Sequence, residues 1–246
     1  MEDIGKVSMV IPENVDVVLL CGGLGTRLKK VIHDRPKPMA EINHRPFLDI
    51  LVDYVLNFGF RRFILCTGYK SDIIREYYQA KDTRAIFLFS EEQQALGTAG
   101  AIKNAELHIQ SDVFMVMNGD SFCGLNMLDF LRYHDSKKAF VSIALVEKEK
   151  SQDCGVVRTD ENGRIVSFHE KIGVEGVNLV SAGMYLFSKA VLSFMPAHKN
   201  YSLEFDLFPS LVQNEAVYGF CTNQQLIDIG TPERYELAKR IFQGTR

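Results

Sequence analysis

The sequence contains no run of about eighteen apolar residues, so no segment is long enough to cross a bilayer as a helix, and no membrane partner is expected. It also lacks a basic surplus: 28 Lys and Arg against 31 Asp and Glu leave a formal charge of -3. Non-specific nucleic-acid binding rests on such a surplus, so a nucleic-acid partner is not expected, whereas a small anion needs only a local patch. Paired or clustered cysteines are missing. The five present (Cys21, Cys66, Cys123, Cys154, Cys221) are odd in number, scattered and mostly inside apolar runs. That pattern suits reduced thiols in the cytoplasm better than a disulfide frame or a zinc site. Residues 1–14 carry acids and no apolar core, so they read as a disordered lead-in and not a secretion signal. Internal repeats, low-complexity tracts, linkers and a hexapeptide-repeat tail are absent as well.

What is present is a chain of 246 residues, 46% apolar and 24% charged. A chain of this size can bury about three quarters of its unfolded surface, so a single domain over residues 1–246 is expected. Val15 to Cys21 is nearly all apolar, as a parallel strand covered on both faces should be, and runs into a glycine turn. Pro46 to Phe58 places Phe47, Ile50, Leu51, Tyr54, Val55 and Phe58 on one helical stripe, with proline at its start and Gly59 past its end. Strands at Arg62 to Cys66, Ile86 to Phe89 and Val113 to Met117 alternate with helices after Ser71 and from Thr98 to Leu107. This alternation predicts an α/β fold: a Rossmann-like, mostly parallel sheet flanked by helices. After about residue 125 the pattern loosens into a β-rich insertion. It comprises a helix at Met127 to His134, a strand at Phe140 to Val146, and a hairpin over Val156 to Phe168 turning at Asn162-Gly163. There follow a strand at Val177 to Phe187, helical pieces at Ala190 to Phe194 and Leu203 to Val212, a strand at Ala216 to Cys221, and a helix from Pro232 capped by Thr231.

In open α/β sheets, ligands bind beyond the carboxyl ends of the strands. Three polar clusters fall there: Gly22 to Arg27, Asn118 to Asp120, and Asp228. Gly22, Gly23 and Gly25 permit a tight turn with amides exposed to phosphate oxygens. A dinucleotide fingerprint would need glycine at Leu28, and a P-loop a Gly-Lys-Ser/Thr ending, so neither fits. Arg27, Lys29, Lys30, Arg35 and Lys37 follow closely. Lys37 stands between Pro36 and Pro38, whose restricted φ predicts a stiff, extended mount for one aimed ammonium.

GGLGTRL (Gly22 to Leu28) followed by PKPM (Pro36 to Met39) resembles the signature of sugar-1-phosphate nucleotidylyltransferases. LGTAGA (Leu96 to Ala101), NGD (Asn118 to Asp120), Glu170-Lys171, SAGMY (Ser181 to Tyr185) and IDIGTPERY (Ile227 to Tyr235) extend the likeness over nearly the whole chain. The compact length and the IDIGTPE ending look closest to the heptose-1-phosphate guanylyltransferases. The resemblance implies a nucleotide-binding half over about 15–125 and a sugar-phosphate-binding half over about 126–246. It puts the nucleotide against Leu20, Gly22, Gly23, Gly25, Thr26, Gly97, Thr98 and Asn118, with Arg27 and Lys37 on the triphosphate. Lys171 falls on the sugar phosphate, and Gly155, Glu170 and Ser181 near the hydroxyls.

Nucleotidyl transfer by in-line attack needs positioning and charge neutralisation, for which Mg2+ with one or two carboxylates is the usual device. Asp120 ends an apolar strand, and Asp228 turns away from the face of Ile227 and Ile229. Both match the family's metal ligands. The attacking phosphate is already anionic, and no serine or histidine triad is recognisable; His108, His134 and His169 are expected at the surface. Glu92, five residues before Gly97, stands where the family reads the base. A carboxylate only accepts hydrogen bonds and so complements the N1-H and N2-H2 donors of guanine, which favours GTP. A shift of one residue would present Gln93 and favour UTP or dTTP. Ser181 replaces an asparagine of several relatives, leaving the sugar open between heptose and mannose types. A non-catalytic nucleotide-sugar-binding regulatory protein and a nicotinamide-dependent enzyme are the alternatives. The first is disfavoured by the full set of charged residues, the second by Leu28 and the proline-flanked lysine. A homo-oligomer is left open.

Overall fold

The computed structural model describes residues 10–149, 155–170 and 176–243. β1 (Asp16–Leu20) is followed by a small hairpin, β2 (Glu41–Ile42) and β3 (Arg45–Pro46), then α1 (Phe47–Leu56) and β4 (Arg62–Thr67). α2 (Ser71–Ala80), β5 (Ile86–Glu91), α3 (Gly97–Asn104) and β6 (Val113–Asn118) complete the first half. These four longer strands lie in the order β5-β4-β1-β6, all parallel.

The apolar run in β1 has the cause the sequence suggested. Val17 and Leu19 point into the cluster holding Phe47, Leu48, Leu51 and Val52 of α1, while Val18 points into the opposite cluster with Ala99, Ala101 and Ile102 of α3. Each side chain of this kind contributes roughly 1.5–3 kcal/mol on full burial. Because α1 and α2 cover one face and α3 the other, the chain winds outward from β1 to β5 and then returns to lay β6 on β1's other side. The order reverses between β1 and β6, so their carboxyl ends open a crevice. Leu20 pairs there with Asn118, and Gly119 N donates to Leu20 O at 3.0 Å.

The second half comprises β7 (Ser121–Cys123), α4 (Met127–Ser136), β8 (Val141–Lys148), β9 (Gly155–Thr159), β10 (Ile165–Glu170) and β11 (Asn178–Ser188). A π-helical turn (Leu203–Leu207) leads into α5 (Phe208–Asn214), and β12 (Val217–Thr222), β13 (Leu226–Asp228) and α6 (Pro232–Gln243) follow. β11 runs antiparallel to β6 and carries the main sheet into this half, pairing also with β8 and β9. The expected β-rich insertion is thus continuous with the parallel sheet. The turn after β9 is held by Asp160 Oδ1, which accepts from Asn162 N and Arg164 N at 2.9 Å, with Gly163 at φ +79°. Thr231 caps α6, its Oγ1 accepting from Arg234 N. No helix among the described residues is long and apolar enough to cross a membrane.

Two expectations need correction. His134 is buried, with Nδ1 2.9 Å from Ser142 Oγ, and desolvation pushes its pKa down to about 4. It lies on the apolar face of α4 beside Phe130 and Leu131, so helical phase overrides its polarity. The segment at Lys37 is extended only at Pro36; Lys37–Met39 forms a 3-10 turn. Pro38 fits a first helical turn because its missing N-H would have no partner there. Cys21, Cys66 and Cys123 are buried thiols and Cys221 is exposed, while Cys154 lies outside the described residues.

Candidate active site

Two clefts open beyond the ends of β1 and β6 and share Lys37, Asn118 and Asp120. The first is lined by Arg27, Gly155, Glu170, Ser181, Glu204, Asp228 and Arg234, among others. The second is lined by residues of the glycine turn, by Glu92, and by the start of α3. Their junction falls at the strand-order reversal, where topology alone puts a ligand.

The junction is strongly charged. Lys37 Nζ donates to Asp120 Oδ2, and Ser121 Oγ donates to Asp120 Oδ1 at 3.1 Å. Burial by itself would raise the Asp120 carboxyl, but the charge and hydrogen bond of Lys37 outweigh it and hold the group below its ordinary value. Gly25 sets the lysine: it adopts φ +57°, and a Cβ there would come 3.1 Å from Lys37 Cβ. Asp228 reaches the same cleft from β13, which pairs antiparallel with β7; Asp228 stands opposite Ser121, and Ile229 N donates to Asp120 O at 3.1 Å. Its Oδ1 accepts from Gly230 N at 2.9 Å and from Arg234 Nη1 at 3.3 Å.

Two oxygen-donor carboxylates facing one cleft, beside the cationic Arg27, Lys37 and Arg234, fit a hard divalent cation whose shell is completed by phosphate oxygens. Among the described residues no group of three or more His, Cys, Asp or Glu side chains converges on a metal position.

In the second cleft, Glu92 and its neighbours separate cleanly. Glu91 is committed to α2, accepting from Ser71 Oγ at 2.6 Å and Arg75 Nη2 at 2.8 Å. Gln93 and Gln94 are exposed and line neither cleft. Glu92 lies over the glycine turn: Oε2 accepts from Leu96 N at 2.9 Å, and Oε1 packs against Gly22, where a Cβ would collide with it. Burial raises its pKa, and the Leu96 hydrogen bond offsets part of the rise. Leu20, Gly22, Gly23, Gly97, Thr98 and Asn118 line this cleft too. Gly97 is held at φ +71° against Tyr201 O, to which Ala99 N and Gly100 N both donate.

Thr26 and Arg27 stand elsewhere than the motif implied, and Thr98 has a structural task besides lining its cleft. Thr98 Oγ1 donates to Glu204 Oε2 at 2.9 Å and accepts from Leu203 N at 2.8 Å, so its hydroxyl braces the loop against the π-helical turn. Thr26 is exposed and lines neither cleft, and Arg27 faces the first cleft and not the second. Ser181 and Gly183 lie where the β11–β8 register shifts, and this irregularity turns them into the first cleft. Gly155 packs so closely on Phe168 and Glu170 that a Cβ would come 2.9 Å from Glu170 Oε2. Lys171 lies outside the described residues. The sequence reading missed Glu204, Asn200 and Arg234. Arg234 sat inside the quoted TPERY motif, whereas Glu204 and Asn200 enter through the tertiary docking of 199–205 on α3.

The sequence profile of the Nucleotidyl transferase family matches residues 16–243. The chain is 34% identical over 224 residues to the D-glycero-alpha-D-manno-heptose 1-phosphate guanylyltransferase of Campylobacter jejuni, covering 90% of this chain and 97% of that one. It is 34% identical to the mannose-1-phosphate guanylyltransferase of Mycobacterium tuberculosis, covering 90% of this chain and 62% of the relative. The crystal structure of HddC from Yersinia pseudotuberculosis superposes with a TM-score of 0.82 at 37% identity, covering 93% of this chain and 99% of that one. The same protein complexed with GMP-PN gives a TM-score of 0.81.

Proposed function

Because the chain belongs to the Nucleotidyl transferase family, we propose that it transfers GMP from GTP to a D-glycero-α-D-manno-heptose 1-phosphate type of sugar phosphate, releasing pyrophosphate. The observation that carries this reading is the pair of clefts meeting at Lys37, Asn118 and Asp120. One cleft takes the nucleotide, with the Glu92 carboxylate at its guanine-reading end, and the other takes the sugar phosphate. The guanylyltransferase relatives and the GMP-PN complex of HddC support GTP over UTP or dTTP. A cytoplasmic enzyme fits the scattered cysteines and the nucleotide substrate.

An oxygen of the sugar phosphate attacks the α-phosphorus of GTP in line, the new P-O bond forms, and the bond to the β-phosphate oxygen breaks with pyrophosphate leaving. Lys37, shared by both clefts, neutralises charge at the reacting phosphorus, and Arg27 and Arg234 steady the phosphates from the sugar side. Mg2+ held by Asp120 and Asp228 would supply Lewis-acid stabilisation at the phosphoryl oxygens. Glu170, Gly155 and Ser181 hold the sugar hydroxyls, and the Glu170-Lys171 motif assigns the sugar phosphate to Lys171.

The test is pyrophosphate release with a panel of nucleoside triphosphates and sugar 1-phosphates. Metal-dependent release with GTP and heptose 1-phosphate is expected, abolished by chelation. Asp120→Asn and Lys37→Ala should each lower kcat by about 100-fold or more, the usual loss on removing a charge that stabilises a transition state. Binding of a nucleotide sugar without pyrophosphate release from any pair would make the chain a regulatory binder instead.

A further inference from the structure

The phosphate-binding loop between β1 and the Lys37 turn has an unusual support. In doubly wound sheets a helix commonly follows the first strand and stiffens the glycine turn. Here residues 22–35 contain no helix or strand, only a turn over 26–31 closed by Leu28 N and Lys29 N on Gly25 O and by Val31 N and Ile32 N on Leu28 O. Leu28 is buried and anchors the middle, while Leu24 and Val31 stay exposed.

Both ends of this loop are gripped by one corner, Gly68–Tyr69–Lys70, at the carboxyl end of β4. Gly68 meets the start: a Cβ there would come 3.1 Å from Gly22 O. Lys70 holds the end, its ammonium donating to His33 O at 3.0 Å and Asp34 O at 2.8 Å. Between them the Tyr69 ring takes Lys29 Nζ at 4.6 Å from its centroid and Lys70 Nζ at 5.6 Å. Lys70 adopts left-handed backbone angles, φ 53° and ψ 46°, which a residue bearing a Cβ rarely adopts. That conformation directs the side chain back across the loop instead of along α2.

We propose that Tyr69 and Lys70 are positioning residues: a latch that keeps loop 22–35 shaped for the triphosphate and so sets nucleotide affinity. The inference rests on the nucleotidyl-transfer reading for its kinetic consequence, though not for its structural one. Asp120 and Asp228 are mounted on other segments and Lys37, though packed on Gly25, is held by its own bond to Asp120, whereas Gly22, Gly23 and Leu24 line the nucleotide cleft and only Arg27 of the loop reaches the sugar cleft. Losing the latch therefore falls on KM for the nucleotide more than on kcat, with a smaller rise in KM for the sugar phosphate.

Lys70→Ala, Lys70→Arg and the unaltered protein are compared by tryptic cleavage after Arg27, Lys29 and Lys30, by melting temperature and by steady-state kinetics. Lys70→Ala should speed cleavage in the loop and raise KM for GTP about tenfold, the worth of one charge-assisted hydrogen bond. Lys70→Arg, which can also donate to two carbonyls, should restore both. Cleavage and KM for GTP unchanged in Lys70→Ala would overturn the latch, as would equal rises in both KM values with a falling melting temperature that Lys70→Arg does not restore. Because the cleavage comparison is made without nucleotide, it judges the latch even if no triphosphate proves to be a substrate.

Discussion

Replacing Glu92 by glutamine should weaken GTP use sharply, and the structure says why an almost isosteric change matters. One oxygen of the carboxylate is already committed, Oε2 accepting from Leu96 N at 2.9 Å. In Glu92→Gln the carbonyl oxygen must keep that bond, since an unpaired buried amide costs roughly 1–3 kcal/mol. The amide nitrogen is thereby forced to the side where Oε1 now packs on Gly22. A guanine edge would then meet donor against donor. Charge-assisted hydrogen bonds are worth about 1.5–3 kcal/mol each, so a loss of about 2–4 kcal/mol is expected, or ~30- to ~1000-fold in kcat/KM for GTP. Uracil and thymine carry an acceptor beside a donor, so kcat/KM for UTP or dTTP should hold or rise. A second signature follows from the pKa: burial raises the Glu92 carboxyl, and only its ionised form presents both oxygens as acceptors, with no O-H donor to oppose those of guanine. GTP use therefore falls as pH drops through that raised value, and the glutamine variant loses this limb. Pyrophosphate release across the nucleotide panel at several pH values is the assay. A GTP-over-UTP preference shifted by less than about threefold would refute the carboxylate reading.

Two further outcomes concern stability. Gly97→Ala places a Cβ 2.7 Å from Tyr201 O at φ +71°, strain of about 1–3 kcal/mol, so the melting temperature should drop by roughly 2–10 °C; no drop would mean the 199–201 segment yields freely. Asp16, buried at the start of β1, would be raised by burial, but Ser111 N, Arg62 and Gln110 N together hold it below its ordinary value. A depressed carboxyl contributes its stability above the unfolded value and loses it as pH falls through the folded one. Asp16→Asn should therefore cost about 3 kcal/mol in urea unfolding at pH 7, the scale for breaking a buried ion pair, and the gap from the unaltered protein should narrow below about pH 4. A gap that stays constant with pH would contradict this assignment.

Much of the parallel half was legible because its causes are local. A strand covered on both faces must be apolar throughout, and an amphipathic helix must repeat its stripe, as Val15 to Cys21 and Pro46 to Phe58 do. His134 misled because a polar residue at a buried helical phase looks, in sequence, like any exposed histidine. Lys37 was identified as the key cation, yet its extended mount became a 3-10 turn, since proline restricts a backbone without dictating which allowed conformation the neighbours choose. The β2–β3 and β7–β13 pairings were not foreseen, as two- and three-residue strands leave no periodicity to read.

By itself the sequence determined the chemistry on offer: a glycine turn, a lysine between prolines, two aspartates and a carboxylate near Leu96-Gly97-Thr98. These follow from residue type and spacing, which need no third dimension. Only the tertiary structure decided which of those groups meet. The reversal between β1 and β6 joins two clefts at Lys37 and Asp120, and the β7–β13 ribbon carries Asp228 across more than a hundred residues to the same place. Tertiary contacts also tied Glu91 to Ser71 and Arg75, left Glu92 lining the second cleft, and gave the Thr98 hydroxyl to Glu204. Hydrogen bonds between distant segments are settled by how the sheet stacks its layers, and no local pattern encodes that.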